Sequence, residues 1–315
     1  MRSPFALFGK LKQAVTAAAR SDQRFADLTA HVDRRLDDLR FNQGLMLAAL
    51  NERRESRSLQ DYEFTVFSQW GEDGILQFLT RVVPIKHRTF LEFGVEDFME
   101  SNCRFLLMKD HWQGFVIDGS PDHIARLKAS HFYWKHQLTA VDAFVTKDNV
   151  NALLARSGFD EDVGILSIDI DGVDYFVLEA ITAFRPRILI CEYNAAFGPT
   201  RRISVPYDAN FQRTKAHASN LYWGASLAAM THLAASRGYA LVGTNSAGNN
   251  AFFVRDDLLG DRLDVVTPEQ AHAWSTFREG RDAQGNFTFL SGEAQLAVIR
   301  GMPVVQVETG VVEPF

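Results

Sequence analysis

Hydrophobic and polar positions alternate in two different ways along the 315-residue chain. In the first 50 residues, apolar side chains recur at intervals of three and four, and no glycine lies between Gly9 and Gly44. This spacing predicts one long amphipathic helix or two, with a narrow apolar stripe that needs a partner. The polar residues 51–60 then predict a linker to the rest of the chain.

From about residue 61 onwards, short apolar runs alternate with segments of helical length. Seven runs have the length and residue types of strands: 89–94, 114–118, 137–141, 164–169, 188–192, 239–243 and 251–255. Helical patterns separate the first five of them, at residues 101–109, 121–129, 147–157 and 173–184. This alternation predicts an α/β fold with a doubly wound, mostly parallel seven-stranded sheet and helices on both faces.

The end of the predicted sheet and the C-terminal part follow a different pattern. Residues 221–237 have a helical pattern, and the turn-rich residues 244–250 join the last two strands as a hairpin, so one strand should run antiparallel. After residue 256 the pattern predicts a helix near 268–279, a turn at 282–286 and a strand at 302–307. We therefore expect a helical extension over residues 1–58, the α/β domain over 59–256, and a C-terminal extension, 257–315, that packs on the domain.

Charge and composition narrow the choice of partners and compartment. Residues 1–60 contain 11 Lys and Arg against 7 Asp and Glu, whereas the formal net charge of the whole chain is −6, so the body is acidic. An acidic body argues against nucleic acid as a partner. Two cysteines cannot form a disulfide framework, and no apolar run approaches the roughly 18 residues that span a bilayer, so we expect a cytoplasmic protein.

The basic N-terminal segment admits two kinds of partner. An apolar stripe at helical spacing suits self-association in a coiled coil, and a basic amphipathic helix also suits an anionic membrane surface such as the inner membrane. The basic face is diluted by five aspartates, Asp22, Asp27, Asp33, Asp37 and Asp38. We therefore expect a homo-oligomer formed through the N-terminal helices, with peripheral membrane contact as the alternative.

Candidate binding residues lie at the ends of the first two predicted strands. Gly94 ends the first strand, where a ligand could approach the main chain closely, and Asp118 ends the second strand 24 residues later. An acidic residue at this place accepts hydrogen bonds from a ribose diol in doubly wound folds. The alternative for Asp118 is an ordinary turn acid, although Ser120 and Pro121 already supply an N-cap and a first residue to the next helix.

Acidic residues also follow the fourth and fifth predicted strands. Asp169 and Asp171 lie two residues apart and should point to one side, at the carboxyl edge where open α/β sheets bind ligands. Two close carboxylates repel each other unless a cation, a shared proton or a substrate ammonium lies between them. Together with Glu192 and Asn194 after the next strand, Asp169 would form an all-oxygen set suited to Mg²⁺ or Mn²⁺. Asp171 could instead form a turn with Gly172 that caps the following helix.

Two further segments carry candidate chemistry. Residues 205–226 mix aromatic, charged and polar side chains, which suits a sugar or another polyhydroxylated acceptor. His217 within this segment could act as a general base, since histidine titrates near neutral pH, although a single histidine is more often structural. Residues 67–74 precede the first strand, and they predict a loop and helix start that either folds over a ligand or forms a capped surface helix.

Three motifs together resemble a known family. They are FSQWGEDGI at residues 67–75, LSIDIDGVDYFVLEAI at 166–181, and YWGASLAAM with GYALVGTNSAGNNAFFVR at 222–255. They resemble class I S-adenosylmethionine-dependent methyltransferases, and within these the FkbM-type branch found with bacterial surface-polysaccharide genes. The resemblance covers residues 62–256. One departure is that Glu96 and Phe98 replace the glycines that usually follow Gly94.

The resemblance implies roles for individual residues. Glu92 and Gly94 would meet the methionine part of the cofactor. Asp118 would bind its ribose, and Asp142 would border its adenine. Asp169 would lie near the transferred methyl group. The full set of implied cofactor-binding residues is Ser68, Gln69, Glu92, Gly94, Asn102, Asp118, Gly119, Ser120 and Asp142.

The sequence thus predicts an enzyme that moves a methyl group from S-adenosylmethionine to a hydroxyl of a sugar acceptor, in a bacterial surface glycan or its precursor. A first alternative is a protein that kept the fold but lost catalysis and acts as a glycan-binding or scaffolding partner, which the Glu96 and Phe98 departures would explain. A second is a nicotinamide-dependent oxidoreductase. The candidate catalytic residues are Asp169, Asp171 and His217, and the candidate metal ligands are Asp169, Glu192 and Asn194.

Overall fold

The computed structural model describes the backbone of residues 4–276 and 278–315, and the side chains of residues 24, 25, 27–276 and 278–315. Within these ranges the strands are β1 Thr89–Phe93, β2 Gln113–Asp118, β3 Leu138–Asp142, β4 Ile165–Ile168, β5 Ile188–Glu192, β6 Ile203–Ser204, β7 Tyr239–Thr244, β8 Asn250–Arg255, β9 Pro303–Gln306 and β10 Val312–Pro314. Seven of them form one sheet in the order β3-β2-β1-β4-β5-β8-β7, and three form a small sheet in the order β10-β9-β6.

The large sheet confirms the predicted doubly wound α/β fold. β1 pairs in parallel with β2 and β4, β2 pairs with β3, and β4 pairs with β5. β8 runs antiparallel to both of its neighbours, β5 and β7, as the predicted hairpin requires. Every residue of β4, β5 and β8 is buried, as expected for strands that are covered on both faces. The strand order reverses between β1 and β4, and in such folds ligands bind in the crevice at this point.

The helices predicted between the first five strands are all present. α4 covers the predicted residues, whereas α3, α5 and α6 are shorter than predicted. The described helices are α1 Pro4–Glu52, α2 Glu72–Val82, α3 Arg104–Asp110, α4 Pro121–Ala129, α5 Val150–Ala155, α6 Asp174–Ala180, α7 Arg213–Ala216, α8 Leu227–Ser236, α9 Pro268–Ala271 and α10 Glu293–Ile299. Short 3₁₀ helices cover Leu59–Tyr62, Tyr133–Lys135, Ala195–Phe197 and Asp256–Leu258.

The helix predicted over residues 221–237 begins six residues late, at Leu227, because the preceding residues bind neighbouring segments instead. Gly224 has a φ of +66°, its N–H donates to the Gly172 carbonyl at 2.8 Å, and its carbonyl accepts from the Val205 N–H at 2.9 Å. The Ser226 side chain then caps α8. Tertiary hydrogen bonds therefore outweigh the helical pattern in this segment.

The C-terminal part agrees with the predictions in two of three places. The turn is present, since the Asp282 N–H donates to the Asn286 carbonyl at 2.9 Å, and the predicted strand is β9. The predicted helix stops after four residues as α9, because the chain then follows the β7–β8 hairpin, where the Thr276 N–H donates to the Ala247 carbonyl. β9 joins β6 and β10 in a small sheet that the sequence did not predict. The division into three units stays a prediction.

The predicted N-terminal helix is one helix, α1, of 49 residues. Its last turns pack on the body so closely that a Cβ at Gly44 would lie 2.5 Å from the Val66 side chain. Asn51 is buried, and its amide donates to the Tyr62 carbonyl at 2.7 Å, so the polar segment after α1 is anchored to the body. No helix in the described part of the chain is long and apolar enough to cross a membrane.

Candidate active site

A cleft of about 710 Å³ lies at the carboxyl edge of the large sheet, a volume typical of small-molecule sites. Its walls come from the ends of β1 to β5, from the segment before α2, from the β7–β8 hairpin and from residues near 211 and 279. The predicted site residues that line it are Gln69, Glu92, Gly94, Asn102, Asp118, Gly119, Asp169, Asp171 and Glu192. Those that do not line it are Ser68, Ser120, Asp142, Asn194 and His217.

Gly94 is required by the contact between β1 and β4. Its φ is +69°, and a Cβ at this position would lie 1.6 Å from the carbonyl oxygen of Asp169. Any side chain would therefore force the carboxyl ends of the two strands apart. The Gly94 N–H donates to the Ile117 carbonyl at 2.9 Å, which ties the same turn to β2. The glycine is thus fixed first by the packing of the strands that frame the cleft.

The loop after Gly94 has a left-handed backbone at Glu96 and Phe98, the two positions where the sequence departs from the family that it resembles. The φ angle is +47° at Glu96 and +65° at Phe98. Such a conformation costs a residue with a side chain about 1–2 kcal/mol. The surroundings hold it, since the Asp118 carboxylate accepts from the Glu96 N–H at 2.8 Å and the Phe98 ring is buried 6.2 Å from the Phe132 ring. Glu96 and Phe98 therefore adopt the left-handed backbone conformation that glycine adopts most readily.

Asp118 joins the end of β2 to the loop after β1. In addition to the bond from Glu96, its carboxylate accepts from the Ser120 N–H at 2.8 Å and lies 3.3 Å from Nδ1 of His123. A carboxylate has about four acceptor sites, so Asp118 keeps capacity for the donors of a ligand. The Ser120 hydroxyl accepts from the His123 N–H at 3.3 Å and caps α4, so this side chain serves the helix and not the cleft.

The end of β3 contributes other residues than the predicted one. Asp142 is exposed and does not line the cleft, whereas Ala143, Phe144 and Val145 do. Phe144 is 50% exposed, and its Cδ2 atom would lie 3.3 Å from a Cβ at Gly119. Phe144 was not among the predicted site residues, although it follows the predicted third strand by three residues.

Glu92 and Asn102 connect the end of β1 with the helix that follows it. Glu92 is buried, and its carboxylate accepts from the Ser101 hydroxyl at 2.7 Å and from the Asn102 N–H at 2.8 Å. Burial raises the pKa of Glu92 to about 7, although these hydrogen bonds oppose the rise. The Asn102 amide donates to the Ser167 hydroxyl at 3.1 Å. Both predicted residues line the cleft and also hold its wall together.

Two acids organise the segment before α2. One oxygen of the buried Asp73 accepts three backbone N–H bonds at 2.7–2.8 Å and the Ser68 hydroxyl at 2.9 Å. Burial raises the pKa of Asp73 to about 6. Ser68 is therefore a structural partner of Asp73, whereas Gln69 lines the cleft. Glu72 also lines the cleft, and it accepts from the Asn250 amide at 2.8 Å.

Three carboxylates meet at the ends of β4 and β5. Oxygen atoms of Asp169, Asp171 and Glu192 lie within 4.8 Å of one another. Burial, and after it repulsion by neighbouring carboxylates, raises the pKa of Asp169 and of Glu192 well above the usual range of carboxyls. Glu192 is only 5% exposed, and its Oε2 atom has no hydrogen-bond partner among the described residues. Two such carboxyls can hold one proton between them at neutral pH.

Asp171 is oriented by an arginine from another segment. It has a φ of +53°, and its Oδ1 lies 2.6 Å from Nη1 of Arg213. Arg213 also forms an ion pair with Glu279 of the C-terminal extension, and its guanidinium lies 4.5 Å from the centroid of the Trp223 ring. Asp174, which sequence reasoning missed, accepts two backbone N–H bonds of the same loop at 2.9 and 3.0 Å. The turn-closing role considered for Asp171 therefore belongs to Asp174.

Two predicted residues, His217 and Asn194, do not line the cleft. Nδ1 of His217 lies 2.7 Å from the Ser219 hydroxyl, and His217 is outside the cleft, so it is not in place to act as a general base. Asn194 is buried, its amide donates to two backbone carbonyls at 2.9 Å, and its oxygen accepts from the Ala196 N–H. Its polar atoms are thus already engaged, and Asp171 replaces it as the third oxygen group of the cluster.

The cleft is strongly acidic. Among the described lining residues, nine carry a carboxylate and one, Arg213, carries a guanidinium. A cleft with this excess of negative charge attracts a cationic ligand and repels a phosphate or pyrophosphate. The nine acids are Glu72, Glu92, Glu96, Glu100, Asp118, Asp169, Asp171, Glu192 and Glu279.

No protein-family model matches the chain, and no curated protein matches it. Solved structures with similar folds include the N-terminal domain of EvdMO1 with S-adenosylhomocysteine bound, at 8% identity over 60% of this chain and 81% of that chain, with a TM-score of 0.37. They also include M. capricolum TrmK in complex with S-adenosylhomocysteine, at 8% identity over 60% and 70%, with a TM-score of 0.35.

A third similar structure is the DszA carbon methyltransferase, at 14% identity over 59% of this chain and 52% of that chain, with a TM-score of 0.35. The chain therefore spans about half the length of DszA methyltransferase. Identities and TM-scores this low compare folds only. The strand order of the large sheet itself shows the fold of this chain.

Proposed function

We propose that this protein is an S-adenosylmethionine-dependent methyltransferase, and that its acceptor is a sugar hydroxyl of a bacterial surface glycan or its precursor. One observation carries the proposal: an acidic cleft lies at the carboxyl edge of a doubly wound sheet, with Gly94 and Asp118 at the ends of β1 and β2. A sulfonium cofactor is cationic, so the excess of carboxyl groups over the single guanidinium in the cleft favours it. The same charge works against a nicotinamide dinucleotide, because its pyrophosphate is anionic.

The residues that would hold the cofactor fit it in chemical type. Asp118 keeps acceptor capacity for a ribose diol, and the exposed ring of Phe144 beside Gly119 suits contact with adenine. Gln69 and Asn102 offer side-chain amides to the amino-acid part. We therefore assign the adenine contact to Phe144 instead of Asp142.

S-adenosylmethionine supplies, when bound, a methyl carbon on a positively charged sulfur that an oxygen nucleophile can attack. The chain's own task is to hold the acceptor hydroxyl in line and to take its proton. We propose that Asp169, which lies in the cleft wall beside Glu192, accepts the proton of the acceptor hydroxyl. Because the pKa of each carboxyl is raised, the ionised member of the pair is a stronger base than an ordinary carboxylate and keeps the proton it receives.

A divalent cation is the second candidate ligand of the same cluster. Asp169, Asp171 and Glu192 offer the hard oxygen donors that Mg²⁺ and Mn²⁺ prefer, and Oε2 of Glu192 has no other described partner. The Arg213 guanidinium works against a cation, because it lies 2.6 Å from the Asp171 carboxylate and already supplies positive charge. We therefore expect turnover to be unchanged after treatment with EDTA. A loss of turnover that Mg²⁺ or Mn²⁺ restores would instead assign the cluster to metal binding.

Calorimetric titration of the full chain with S-adenosylmethionine tests cofactor binding. We expect heat of binding in the wild type and at least a tenfold loss of affinity in Asp118→Ala, equivalent to about 1.4 kcal/mol. The matched control is Asp122→Ala, whose exposed carboxylate lies on α4 outside the cleft, and it should bind as the wild type does. A wild type without heat at millimolar cofactor would favour the alternative of a glycan-binding or scaffolding protein that lost catalysis.

The acceptor proposal is supported by three residues of the cleft wall. They are Phe211, Arg213 and Glu279, and the Arg213 guanidinium lies 4.5 Å from the centroid of the Trp223 ring. Aromatic and hydrogen-bonding groups mixed in this way suit a polyhydroxylated ring. Incubation with methyl-labelled S-adenosylmethionine and a panel of nucleotide-linked sugars and extracted glycans tests the acceptor class. We expect base-stable label on sugar, and label that appears only on protein or nucleic acid would contradict the proposal.

A further inference from the structure

The helix α1 has two faces that carry apolar residues, and the body of the protein covers one of them. The covered face contains Phe41, Gly44 and Ala48, which pack against Val66 and Phe105. The residues of the opposite face are 45–73% exposed. We call this face the α1 stripe, and its residues are Phe25, Leu28, Val32, Leu36, Leu39, Met46 and Leu50.

The α1 stripe repeats every seven residues. Phe25, Val32, Leu39 and Met46 are each seven positions apart, and the three leucines that complete the stripe follow one of them at a distance of three or four. A seven-residue repeat keeps one face of a helix against a second helix in a left-handed coiled coil. The stripe extends over residues 25–50, which is between three and four repeats, and repeats sustained over this length are typical of coiled coils.

The described part of the chain leaves this stripe uncovered. The side chains of residues 24, 25 and 27–36 are all exposed, so this part of α1 extends away from the body. A helix without tertiary packing is only marginally stable in water, because its nucleation is unfavourable. Full burial of one large apolar side chain contributes about 1.5–3 kcal/mol. Seven such side chains on one helix face therefore favour a partner strongly.

We infer that two copies of this chain associate, and that the α1 stripe of each copy packs against the α1 stripe of the other. Residues 24–52 contain four arginines and five acids, so the described helix has no net positive charge to attract an anionic membrane. A second copy brings a stripe of the same repeat and length, together with charges of both signs that can pair across the interface. The opposite face of α1 stays on the body, so the association requires no rearrangement of the fold.

Light scattering on the full chain during size-exclusion chromatography tests this inference. We expect the wild type at micromolar concentration to have at least twice the monomer mass of 35.5 kDa. Val32→Gln combined with Leu39→Gln should shift the protein to a monomer. The matched control, Ala30→Gln combined with His31→Gln, places two glutamines at exposed positions outside the stripe and should remain associated. Far-UV and near-UV circular dichroism verify that both variants are folded.

A monomeric wild type would overturn the inference, and so would equal association of the two double variants. Co-sedimentation with phosphatidylglycerol vesicles tests the competing partner. Vesicle binding by a monomeric wild type, abolished by Val32→Gln with Leu39→Gln, would show that the stripe binds a membrane. Because mass and vesicle binding do not depend on methyl transfer, failure of this inference can be distinguished from failure of the proposed function.

Discussion

The carboxylates around the cleft divide into two groups according to what surrounds each of them. Asp73, Asp118 and Asp174 accept backbone N–H bonds and hold loops in place, including the loop in which Glu96 is left-handed. Asp169 instead lies beside the carboxyl group of Glu192 in the wall of the cleft. The first group explains how the strained loops persist, because each of these carboxylates accepts at least two backbone N–H bonds. The second group is the one available for chemistry.

The chemical role of Asp169 predicts the effect of an isosteric change. Asp169→Asn should lower turnover by a factor of about 10²–10⁴, because the amide cannot accept the acceptor proton. Thermal stability should stay the same or rise, since the amide removes a carboxyl whose ionisation burial disfavours. The control is Asp160→Asn, at a side chain that is 81% exposed. Initial rates of S-adenosylhomocysteine formation measure the effect, and wild-type turnover in Asp169→Asn would contradict the assignment.

Three buried acids predict that the protein is more stable at pH 5 than at pH 8. Burial raises the pKa of Asp73 to about 6, of Glu92 to about 7 and of Asp174 to about 6. In the unfolded chain the pKa of each of these groups is about 4. Between the two values the folded protein binds more protons than the unfolded chain, so the free energy of unfolding decreases as pH rises through the folded pKa values.

Each of these groups changes the free energy of unfolding by up to about 1.4 kcal/mol for each pH unit of its pKa shift. Urea unfolding at pH 5, 6, 7 and 8 measures the slope. Glu92→Gln should remove part of the decrease between pH 5 and 7, because the amide does not titrate. A free energy of unfolding that rises with pH across this range would show that the three acids ionise normally in the folded protein.

At the scale of elements, α1 is tied to the loop that forms the cleft wall. Arg104, the first residue of α3, is fully buried between the rings of Phe67 and Phe132, at 4.0 and 4.1 Å from their centroids. Its Nη2 lies 2.6 Å from the carboxylate of Asp37 in α1, and its Nη1 donates to the Met99 carbonyl at 3.2 Å. The docking of α1 therefore depends on a buried ion pair beside the loop after β1.

This ion pair predicts a large difference between two neighbouring aspartates. Asp37→Ala should lower the free energy of unfolding by about 3–5 kcal/mol, because it leaves the Arg104 charge buried without its partner. Asp38→Ala is the matched control, since Asp38 is exposed and lies 3.8 Å from Arg35, and it should cost less than about 1 kcal/mol. Urea unfolding measures both. Equal stability of the two variants would mean that Arg104 finds another acceptor in the absence of Asp37.

The sequence predicts the existence of elements better than their ends. All seven strands of the large sheet lie within one residue of the predicted positions, because short apolar runs bounded by turn residues leave little choice of register. The helix ends at Leu227 and Ala271 depend on hydrogen bonds from distant segments, which periodicity does not contain. The small sheet was missed for the same reason, since β6 has two residues and pairs with a strand far away in the sequence.

The same distinction holds in the cleft. Glu92, Asp118 and Asp169 line the cleft together because parallel strands bring their carboxyl ends to one edge of the sheet. His217 and Asn194, which do not line the cleft, lie in or against the segment around residues 205–226, whose path is set by long-range contacts. The pairing of Arg213 with Asp171 and Glu279 could not be predicted either, because it joins three segments that are remote in the sequence.

At the scale of the whole molecule, charge is distributed unevenly. The described part of α1 has nearly balanced charges, whereas the cleft concentrates nine carboxylates around one arginine. The C-terminal extension takes part in this arrangement, since Glu279 lines the cleft and β9 pairs with β6. The cleft thus brings together side chains from the segment before α2, from the strand ends of the large sheet and from the C-terminal extension. Together they form one negative surface that is open to a cationic ligand.

This surface predicts that salt weakens the binding of S-adenosylmethionine more than the binding of S-adenosylhomocysteine, which lacks the sulfonium charge. Raising the ionic strength from about 0.1 M to about 1 M shortens the Debye length from about 10 Å to about 3 Å, so exposed carboxylates lose their effect on the ligand. Calorimetry at both salt concentrations measures the ratio of the affinity for S-adenosylmethionine to the affinity for S-adenosylhomocysteine. We expect this ratio to fall severalfold at the higher salt concentration.

Glu96→Gln combined with Glu100→Gln should reduce this salt dependence, because both carboxylates are exposed in the cleft wall. Asp160→Asn combined with Glu161→Gln removes the same charge from an exposed surface outside the cleft and should leave the salt dependence unchanged. A preference that does not respond to salt in the wild type would mean that protons or a bound cation already neutralise the acids. If the exposed acids are neutralised in this way, Asp169 and the buried Glu192, which salt screens least, would have to supply the selectivity for the sulfonium.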